Sequence, residues 1–578
     1  MYCPECGCKI EDDGAVFCPE CGTKVVETIV QSPSLNEDDG QEKCGMYAYG
    51  ILLTNVGLLA GKMSVAPKVI QQLLERFIDA KRQVGVFYHL VDVGNYTYSK
   101  KNFFGLSKTI HLNAESKLDD YMDILTDVYH HEKNKEVPES RYLFIIGGDD
   151  IIPMPCVPHY SKDVHDKTID TDILYSYPYG SDMLALLESM EIFEYEPVFL
   201  VGRLPVSDDT TLSDLQSYLE RDVQNSKGIP LTEAYGQCDP HWKNVSATVA
   251  TDLIGGGLFR DLEGSLPIGT YFRKLILSPE VNVSNVYQVF HPDASLLYFN
   301  LHGAEALESR GYFGESMLGE MQCTLLPEHL ATCRVPNVIM CEACYGARFI
   351  GMDKPHSMLL TSLYASSLLF VGSSRIAWGN VDPTVVLGYT PVAPFFADVI
   401  ALEFMKGLLE GYTAGEAMLL ARSMVFQQDD QGIPNTPATI VEFNLFGDPT
   451  LGLAISNKSR TAQKAIDKSI GRIKGSDYGC VMEKVEMDSV IQSESVLQQV
   501  RQAVDANLSQ IHDMVGCHLY AQYGISPRPA SSIFRLNYAN GKRELSFSYE
   551  MHADSSIPIT YIVRTSEKGE IKSVITTR

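Results

Sequence analysis

The chain has 578 residues and a formal net charge of −26, from 73 acidic and 47 basic side chains. A hydrophobic fraction of 45% with 21% charged residues is typical of a folded protein with several cores, not of a disordered one. The negative charge argues against nucleic acid and anionic membranes as partners, because basic faces bind both. The sequence shows no signal peptide and no apolar run long enough to span a membrane. We therefore expect a cytoplasmic protein, whose clustered cysteines bind metal or act as nucleophiles.

The first 26 residues contain two Cys-x2-Cys pairs, Cys3 with Cys6 and Cys18 with Cys21. Two such turns point four thiolates at one centre and suit tetrahedral Zn²⁺. So short a segment cannot fold on apolar burial alone, so the metal would stabilise it. The sequence predicts a structural zinc-ribbon over 1–26, similar to those at the ends of many prokaryotic proteins. It would serve either to dock a regulatory protein partner or as a tethered structural element, and the polar, acidic residues 27–45 would form a flexible linker.

Strands and helices alternate from about residue 46, which is typical of an α/β sheet with helical crossovers. The apolar patterns predict strands at 47–53, 85–90, 141–146 and 197–201, and helices at 67–83, 118–130 and 211–225. The alternation then begins again, with strands predicted at 245–251, 296–301, 338–340 and 368–372, and helices at 394–409 and 414–427. We expect two consecutive sheets, over 46–228 and 229–456.

A small α+β domain is predicted for residues 457–578. Helical patterns cover 458–474 and 493–515, and four strands follow at 533–538, 544–549, 559–564 and 571–576. The Asn540-Gly541 pair between the first two strands is a strong hairpin signal. No chemistry is evident in this part of the sequence.

Reactive residues follow three predicted strands of the second sheet. His302-Gly303 follows 296–301, Cys341 to Gly346 follows 338–340, and Ser373 to Trp378 follows 368–372. Reactive groups of open α/β sheets gather at the carboxyl ends of the strands. If the first two strands are neighbours, His302 and Cys344 face each other across that edge.

This pairing suits nucleophilic catalysis by a thiol. A thiol with a pKa near 8.5 is only about 3% thiolate at pH 7, and a nearby imidazole assists its deprotonation. The N–H groups of Gly303 and Cys344 could form an oxyanion hole, worth about 3 kcal/mol per donor. Cys344 is preferred to Cys341 as nucleophile because it ends the strand before x-Gly, whereas Cys341 would pack in the core.

The box Glu342-Ala343-Cys344-Tyr345-Gly346, with His302 lying 42 residues before Cys344, resembles the caspase-like clan of cysteine peptidases. Within that clan the sequence is most similar to the gingipain-like family. Three further segments carry the resemblance: residues 143–150 with Pro153, residues 201–206 around Gly202-Arg203, and residues 444–451 around Gly447-Asp448-Pro449. The resemblance implies an α/β fold with two caspase-like subdomains, the second catalytic. It also implies endopeptidase activity through a Cys344/His302 dyad.

The resemblance suggests residues for the substrate pocket. The position of Glu342 helps line the pocket for the residue before the scissile bond in this clan, so an acid there favours Arg or Lys. The segment 372–378, with Ser373 and Ser374, resembles one that pairs with the substrate backbone, and Trp378 would wall the pocket.

Acidic residues near the start of the catalytic subdomain orient the histidine and line the pocket in gingipains. Asp252 is the residue we expect to orient His302, and Asp261 is expected to line the pocket.

A cytoplasmic protease must be restrained, so we expect a regulated intracellular enzyme with a role in defence or signalling. Ca²⁺ is a candidate regulator, held by Asp149-Asp150 and the acidic loop 163–182, although solvated loops have the same composition. The alternative is a non-catalytic scaffold of caspase-like fold that binds partners through the zinc-ribbon.

Overall fold

The structure is a computed structural model. It describes residues 48–101, 107–112, 116–133, 141–161, 166–252, 272–305, 310–316, 319–381, 392–428, 435–454, 480–484, 508, 510–519, 522, 530–538, 542–551 and 559–577. Several predictions lie outside these residues: the zinc-ribbon with Cys3, Cys6, Cys18 and Cys21, the linker 27–45, Asp261, the helix 458–474 and the Asn540-Gly541 turn.

The strands, in chain order, are β1 (Ala48–Thr54), β2 (Val86–Asp92), β3 (Thr97–Lys101), β4 (Ser107–His111), β5 (Tyr142–Ile146), β6 (Cys156–Pro158), β7 (Thr168–Asp170), β8 (Leu200–Leu204), β9 (Ala234–Cys238), β10 (Phe272–Leu277), β11 (Leu296–Asn300), β12 (Tyr312–Glu315), β13 (Met321–Leu325), β14 (Asn337–Cys341), β15 (Ser367–Ser373), β16 (Trp378–Asn380), β17 (Phe443–Gly447), β18 (Cys480–Lys484), β19 (Ser532–Tyr538), β20 (Arg543–Met551), β21 (Ile559–Ser566) and β22 (Ile571–Thr577).

The helices are α1 (Val56–Lys62), α2 (Pro67–Arg82), α3 (Leu118–Lys133), α4 (Met183–Glu188), α5 (Leu212–Gln224), α6 (Lys243–Asp252), α7 (Pro327–Leu330), α8 (Met358–Ala365), α9 (Ala397–Leu409), α10 (Ala414–Gln428) and α11 (Asn435–Glu442). Over the described ranges, none of them combines the length and the apolar character that crossing a membrane requires.

A mixed sheet of 10 strands forms the centre of the molecule, in the order β10-β9-β11-β14-β15-β17-β8-β5-β1-β2. Neighbouring strands are parallel except for β15 and β17, which are antiparallel. The two halves of the sheet therefore run in opposite directions, with their carboxyl ends at opposite edges. Where the sequence predicted two sheets the structure has one, because β17 pairs with β15 on one side and with β8 on the other.

The central strands are apolar runs because both faces of the sheet are covered. Every residue of β5, β11, β14 and β15 is buried. The sequence prediction for 245–251 was wrong: these residues belong to α6, and the strand position is taken by β9. Val245 and Val249 are both buried. Residues four apart share one face of a helix and also one face of a strand, so this apolar spacing did not distinguish the two structures.

The Gly447-Asp448-Pro449 segment has a structural role in the sheet. Lys81 of α2 is fully buried, with its Nζ 2.6 Å from Asp222 Oδ1 and 2.9 Å from Asp448 Oδ2. The Tyr88 hydroxyl also donates to Asp448. Burial alone would raise the pKa of Asp448, but Lys81 and the hydrogen bonds outweigh it and lower that pKa. The cluster joins α2, α5 and the end of β17.

Arg203, in the other motif shared with the gingipain-like family, is also structural. Its guanidinium is fully buried and pairs with Asp172 through two nitrogens, at 2.7 and 2.6 Å. It also donates to the carbonyl oxygens of Gly147 and Ile152, at 3.0 and 2.8 Å. The arginine therefore joins β8 to the segments that follow β5 and β7.

A second sheet contains β16-β22-β21-β20-β19-β18 in that order, and all its pairs are antiparallel. Its last four strands in chain order lie within two residues of the predicted ones. Helical residues 510–519 pack on it, with Ile511 and Val515 in one apolar cluster with Phe547 and Val563. The sheet is not self-contained, because β16 comes from the segment that follows β15.

Candidate active site

The strand register places His302 beside Cys344. In the parallel pair β11 and β14, Phe299 lies opposite Cys341, and the Glu342 N–H donates to the Phe299 carbonyl oxygen at 2.8 Å. His302 and Cys344 each lie three residues beyond that pair. A Cβ atom on Gly303 would fall 1.6 Å from the Cys344 carbonyl oxygen, so only glycine permits this approach. The structure therefore brings together the two residues that the sequence paired.

Two carboxylates lie next to the imidazole of His302. Its Nε2 is 3.8 Å from Asp239 Oδ2 and 3.9 Å from Glu315 Oε2. These distances exceed a hydrogen bond, but both charges act on the ring through a water-poor interior. Main-chain hydrogen bonds of 2.9 Å in both directions join His302 to Phe313 of β12 and so bring Glu315 to the site. The ring also lies 4.5 Å from that of Trp242.

Asp239 is a second candidate for the residue that orients His302, beside the predicted Asp252. Asp239 directly follows β9, the neighbour of β11, and its N–H donates to the Asn300 carbonyl oxygen at 2.9 Å. Asp252 is the last residue of α6. The role of Asp252 stays a prediction, and the short distance to Nε2 favours Asp239. The sequence signal for Asp239 was its position directly after a strand. That strand, β9, was not recognised because Gly236 and Gln237 interrupt its apolar pattern.

The turn after Cys344 is strained and is held by Asp166. Tyr345 has a φ of 54°, a left-handed backbone conformation that residues other than glycine rarely adopt. Its N–H donates to the Arg375 carbonyl oxygen at 2.7 Å, and its hydroxyl donates to Asp166 Oδ1 at 2.6 Å. Asp166 Oδ2 accepts from the Ile376 N–H at 2.8 Å. Asp166 was not singled out from the sequence, yet it ties the Cys344 turn to the segment after β15.

The two neighbouring cysteines have different surroundings. Cys344 Sγ accepts a hydrogen bond from the Ala377 N–H at 3.3 Å, a contact that would stabilise a thiolate. Cys341 is fully buried in the main core, and burial raises the pKa of its thiol to about 12. Such a thiol is inert near neutral pH, as expected for the core role predicted for Cys341.

Glu342 directly follows β14 and is fully buried. Its carboxylate accepts the Tyr298 hydroxyl at 2.6 Å, and both side chains are fully buried. Burial raises the pKa of Tyr298 well above its usual value, and the negative charges of Glu342 and Asp398 raise it further. Two carboxylates are therefore close to one buried phenol. Solvent does not reach Glu342, so its contact with a substrate side chain stays a prediction.

The other expected pocket residues hold the segment after β15. The Ser373 hydroxyl donates to the Arg375 carbonyl oxygen at 2.9 Å, and the Ser374 hydroxyl donates to that of Asp170 at 2.7 Å. Trp378 is fully buried in one apolar cluster with Cys344. The structure thus places Trp378 in the same apolar cluster as Cys344. The two serine hydroxyls, in contrast, donate hydrogen bonds to main-chain carbonyl groups. Substrate binding by Ser373 and Ser374 stays a prediction.

The acidic residues proposed for calcium have protein partners. Asp149 accepts the Met154 N–H at 2.6 Å, and Asp150 pairs with Lys62. Within the described part of the chain, no group of three or more His, Cys, Asp or Glu residues is arranged to hold a metal ion.

Comparison with known proteins gives a family match over most of the chain. The profile of peptidase family C25 matches residues 62–454, which include His302 and Cys344. Among solved structures, the chain is similar to the Arg-specific cysteine proteinase gingipain R, with 12% identity over 92% of this chain and 98% of that one and a TM-score of 0.44. It is also similar to the complex of the RgpB pro- and mature domains from Porphyromonas gingivalis, with 12% identity over 90% and 99% and a TM-score of 0.44. No curated protein matches it.

Proposed function

Because the chain belongs to peptidase family C25 and is a cysteine-type endopeptidase, we propose that it cleaves protein substrates with Cys344 as nucleophile and His302 as base and acid. The observation that carries this assignment is the pairing of β11 with β14, after which Gly303, next to His302, approaches the Cys344 backbone closely. The alternative nucleophile on this strand, Cys341, is buried in the core with a raised pKa.

The reaction would proceed in two displacements. His302 accepts the proton of the Cys344 thiol, and the thiolate attacks the substrate carbonyl carbon to form a C–S bond. The C–N bond then breaks while His302 returns its proton to the leaving amine. Water, deprotonated by His302, attacks the thioester, and the C–S bond breaks to regenerate the thiol. The two carboxylates lie on the Nε2 side of the ring, so we assign Nδ1 to the proton exchange with the sulfur.

Asp239 and Glu315 would stabilise the imidazolium that forms in each step. A carboxylate beside the second ring nitrogen holds the tautomer and favours the charged ring. Asp239 itself is held by the Glu315 N–H and by the His241 N–H, the latter at 2.9 Å. We expect Asp239 to act through His302 and not to touch the substrate.

We propose a preference for Arg or Lys before the scissile bond. Glu342, two residues before Cys344, and Asp398 supply two negative charges near Tyr298 of β11. A cationic side chain that entered there would pair with buried carboxylates in a low dielectric. The net charge of −26 adds a long-range attraction for basic segments.

Peptide hydrolysis tests the function. Fluorogenic peptides ending in Arg, Lys, Asp or Asn would be incubated with the parent chain, with Cys344→Ala and with Cys341→Ala. We expect cleavage after Arg or Lys that is lost in Cys344→Ala and retained in Cys341→Ala. Cleavage after Asp alone would overturn the basic preference, and hydrolysis surviving in Cys344→Ala would overturn the nucleophile. A folded chain that hydrolyses none of them, and whose variants with an uncovered Cys344 hydrolyse none either, would favour the non-catalytic scaffold.

We also propose that the enzyme is a regulated cytoplasmic protease with a structural zinc site at Cys3, Cys6, Cys18 and Cys21. The spacing of these cysteines supports the metal, and the seven free cysteines among the described residues support a reducing compartment. Metal analysis of the purified chain should find about one zinc per chain. Replacing Cys18 and Cys21 by serine should remove it. Zinc retained after both replacements would contradict the site.

A further inference from the structure

The strand next to the nucleophile already has a partner from the same chain. β16 begins directly after Ala377, whose N–H donates to Cys344 Sγ. β22 lies antiparallel to β16, with Thr577 opposite Trp378 and Ile575 opposite Asn380. An extended segment of the second sheet thus pairs with the backbone beside the catalytic sulfur.

Side chains of the same sheet close the space over Cys344. Ile575 of β22 and Ile562 of β21 are buried in one apolar cluster with Cys344 and Trp378. Cys344 is 3% exposed and His302 2% exposed, so other parts of the chain cover almost all of both side chains. The dyad is therefore covered.

A polar contact from the adjoining strand adds to this covering. Arg564 of β21 is buried, and its guanidinium donates to the side-chain oxygen of Asn435, the first residue of α11. The second sheet is thus attached to the main sheet's helices as well as to β16. A buried arginine with a hydrogen-bond partner at this junction favours one arrangement of the two sheets.

We propose that β22 occupies the position of the substrate strand and keeps the enzyme latent until the second sheet moves away. The inference rests on the proposed role of Cys344. A protein substrate that adds a strand needs main-chain N–H and C=O groups beside the nucleophile, and β22 now uses those of β16. The rate of cleavage is then reduced by the fraction of molecules in which β16 is free.

Variants that expel β22 test the proposal. Ile575→Glu and Ile562→Glu each put a charge into the apolar cluster, whereas Lys572→Glu changes an exposed residue of β22 and is the matched control. Two readouts would be measured: the rate at which iodoacetamide alkylates Cys344, followed by peptide mass spectrometry, and the hydrolysis of Arg and Lys peptides. We expect both rates to rise about tenfold or more in the isoleucine variants and to stay at the parent value in Lys572→Glu.

A disulfide lock tests it without destabilising the sheet. Gly379 and Thr576 are opposite residues, and opposite residues in antiparallel strands are close enough for a disulfide. Alkylation of Cys344 in Gly379→Cys/Thr576→Cys should be about tenfold slower in the oxidised protein than in the parent. It should return to the parent rate after reduction, a step that leaves the parent unchanged.

The two readouts separate the latency from the proposed function. Faster alkylation in the isoleucine variants without any hydrolysis would support the covering by β22 and count against the peptidase assignment of Cys344. Equal alkylation rates in the parent, the folded isoleucine variants and the locked form would overturn the latency. Full hydrolysis by the locked, oxidised form would overturn it as well.

Discussion

Asp239 is the side chain that we expect to influence the charge of His302 most. It is fully buried, accepts hydrogen bonds from the Glu315 and His241 main-chain N–H groups, and lies 3.8 Å from His302 Nε2. A carboxylate held on so many sides cannot turn away from the imidazole. Its charge should therefore matter more than its volume.

Replacing Asp239 with asparagine should lower kcat by about 10² to 10⁴ while KM changes little, because the change keeps the shape and removes the charge that favours the imidazolium. Asp252→Asn is the matched control and should stay within about twofold of the parent. Steady-state kinetics with an Arg peptide would measure both. Equal losses in the two variants would contradict the preference for Asp239 over Asp252.

Cys341 and Cys344 should respond differently to the same substitution. Cys341→Ala removes a buried sulfur from the core, so we expect a loss of about 1 kcal/mol in the free energy of unfolding and near-parent activity. Cys344→Ala should lose activity and keep its stability. Urea unfolding and peptide hydrolysis of the two variants would measure this contrast, and the reverse pattern would exchange their roles.

At the scale of elements, the cluster of Lys81, Asp222 and Asp448 links α2 and α5 to the end of β17, the strand that joins the two halves of the sheet. The carboxylates share one lysine in a fully buried position. The pKa of Lys81 is raised, since its two partners outweigh the effect of burial. The ammonium is therefore charged in the folded protein.

Lys81→Met should lower the free energy of unfolding by about 3–5 kcal/mol, because it leaves two carboxylates buried without a cation. Arg82→Met, at the next position of α2, removes only an exposed pair with Asp79 and should cost less than about 1 kcal/mol. Denaturant unfolding of both variants is the measurement. A Lys81 variant as stable as the Arg82 variant would show that the cluster does not stabilise the fold.

The elements that could be predicted from the sequence are those with one unambiguous apolar pattern. The apolar runs of β11, β14 and β15 were recognised within a few residues, and with them the positions of His302 and Cys344 at the strand ends. β9 was missed because Gly236 and Gln237 interrupt its apolar character.

Local sequence patterns did not predict which strands pair over long distances in the chain. The partners of β17 unite the two predicted sheets, and no property of residues 443–447 alone selects β8. For the same reason Asp239 and Asp166 were not singled out: each reaches the site from a segment that is distant in the sequence. Glu315 lies closer in the sequence, but only the pairing of His302 with Phe313 brings it to the ring.

At the scale of the whole molecule, charge and the second sheet act on the same site. The net charge of −26 would attract a basic substrate from a distance, while β22 would decide whether the substrate strand finds a free edge. The first effect acts on the rate of encounter and the second on the fraction of competent molecules. Salt therefore distinguishes them.

Raising NaCl from about 20 to about 200 mM should lower kcat/KM several-fold for an Arg peptide with additional lysines, because salt screens the attraction. For a peptide in which glutamines replace those lysines, kcat/KM should fall much less. Stopped assays at both salt concentrations would measure the ratio. An equal salt effect on the two peptides would contradict a long-range role for the acidic charge.

The nucleophile is the central assignment, and a covalent label tests it most directly. The parent and Ile575→Glu chains would be treated with a peptidyl-arginine chloromethyl ketone, and the modified residue located by tandem mass spectrometry. We predict a single adduct on the sulfur of Cys344, absent from His302→Ala and formed faster in Ile575→Glu. An adduct on Cys341 or another cysteine in place of Cys344 would contradict the assignment.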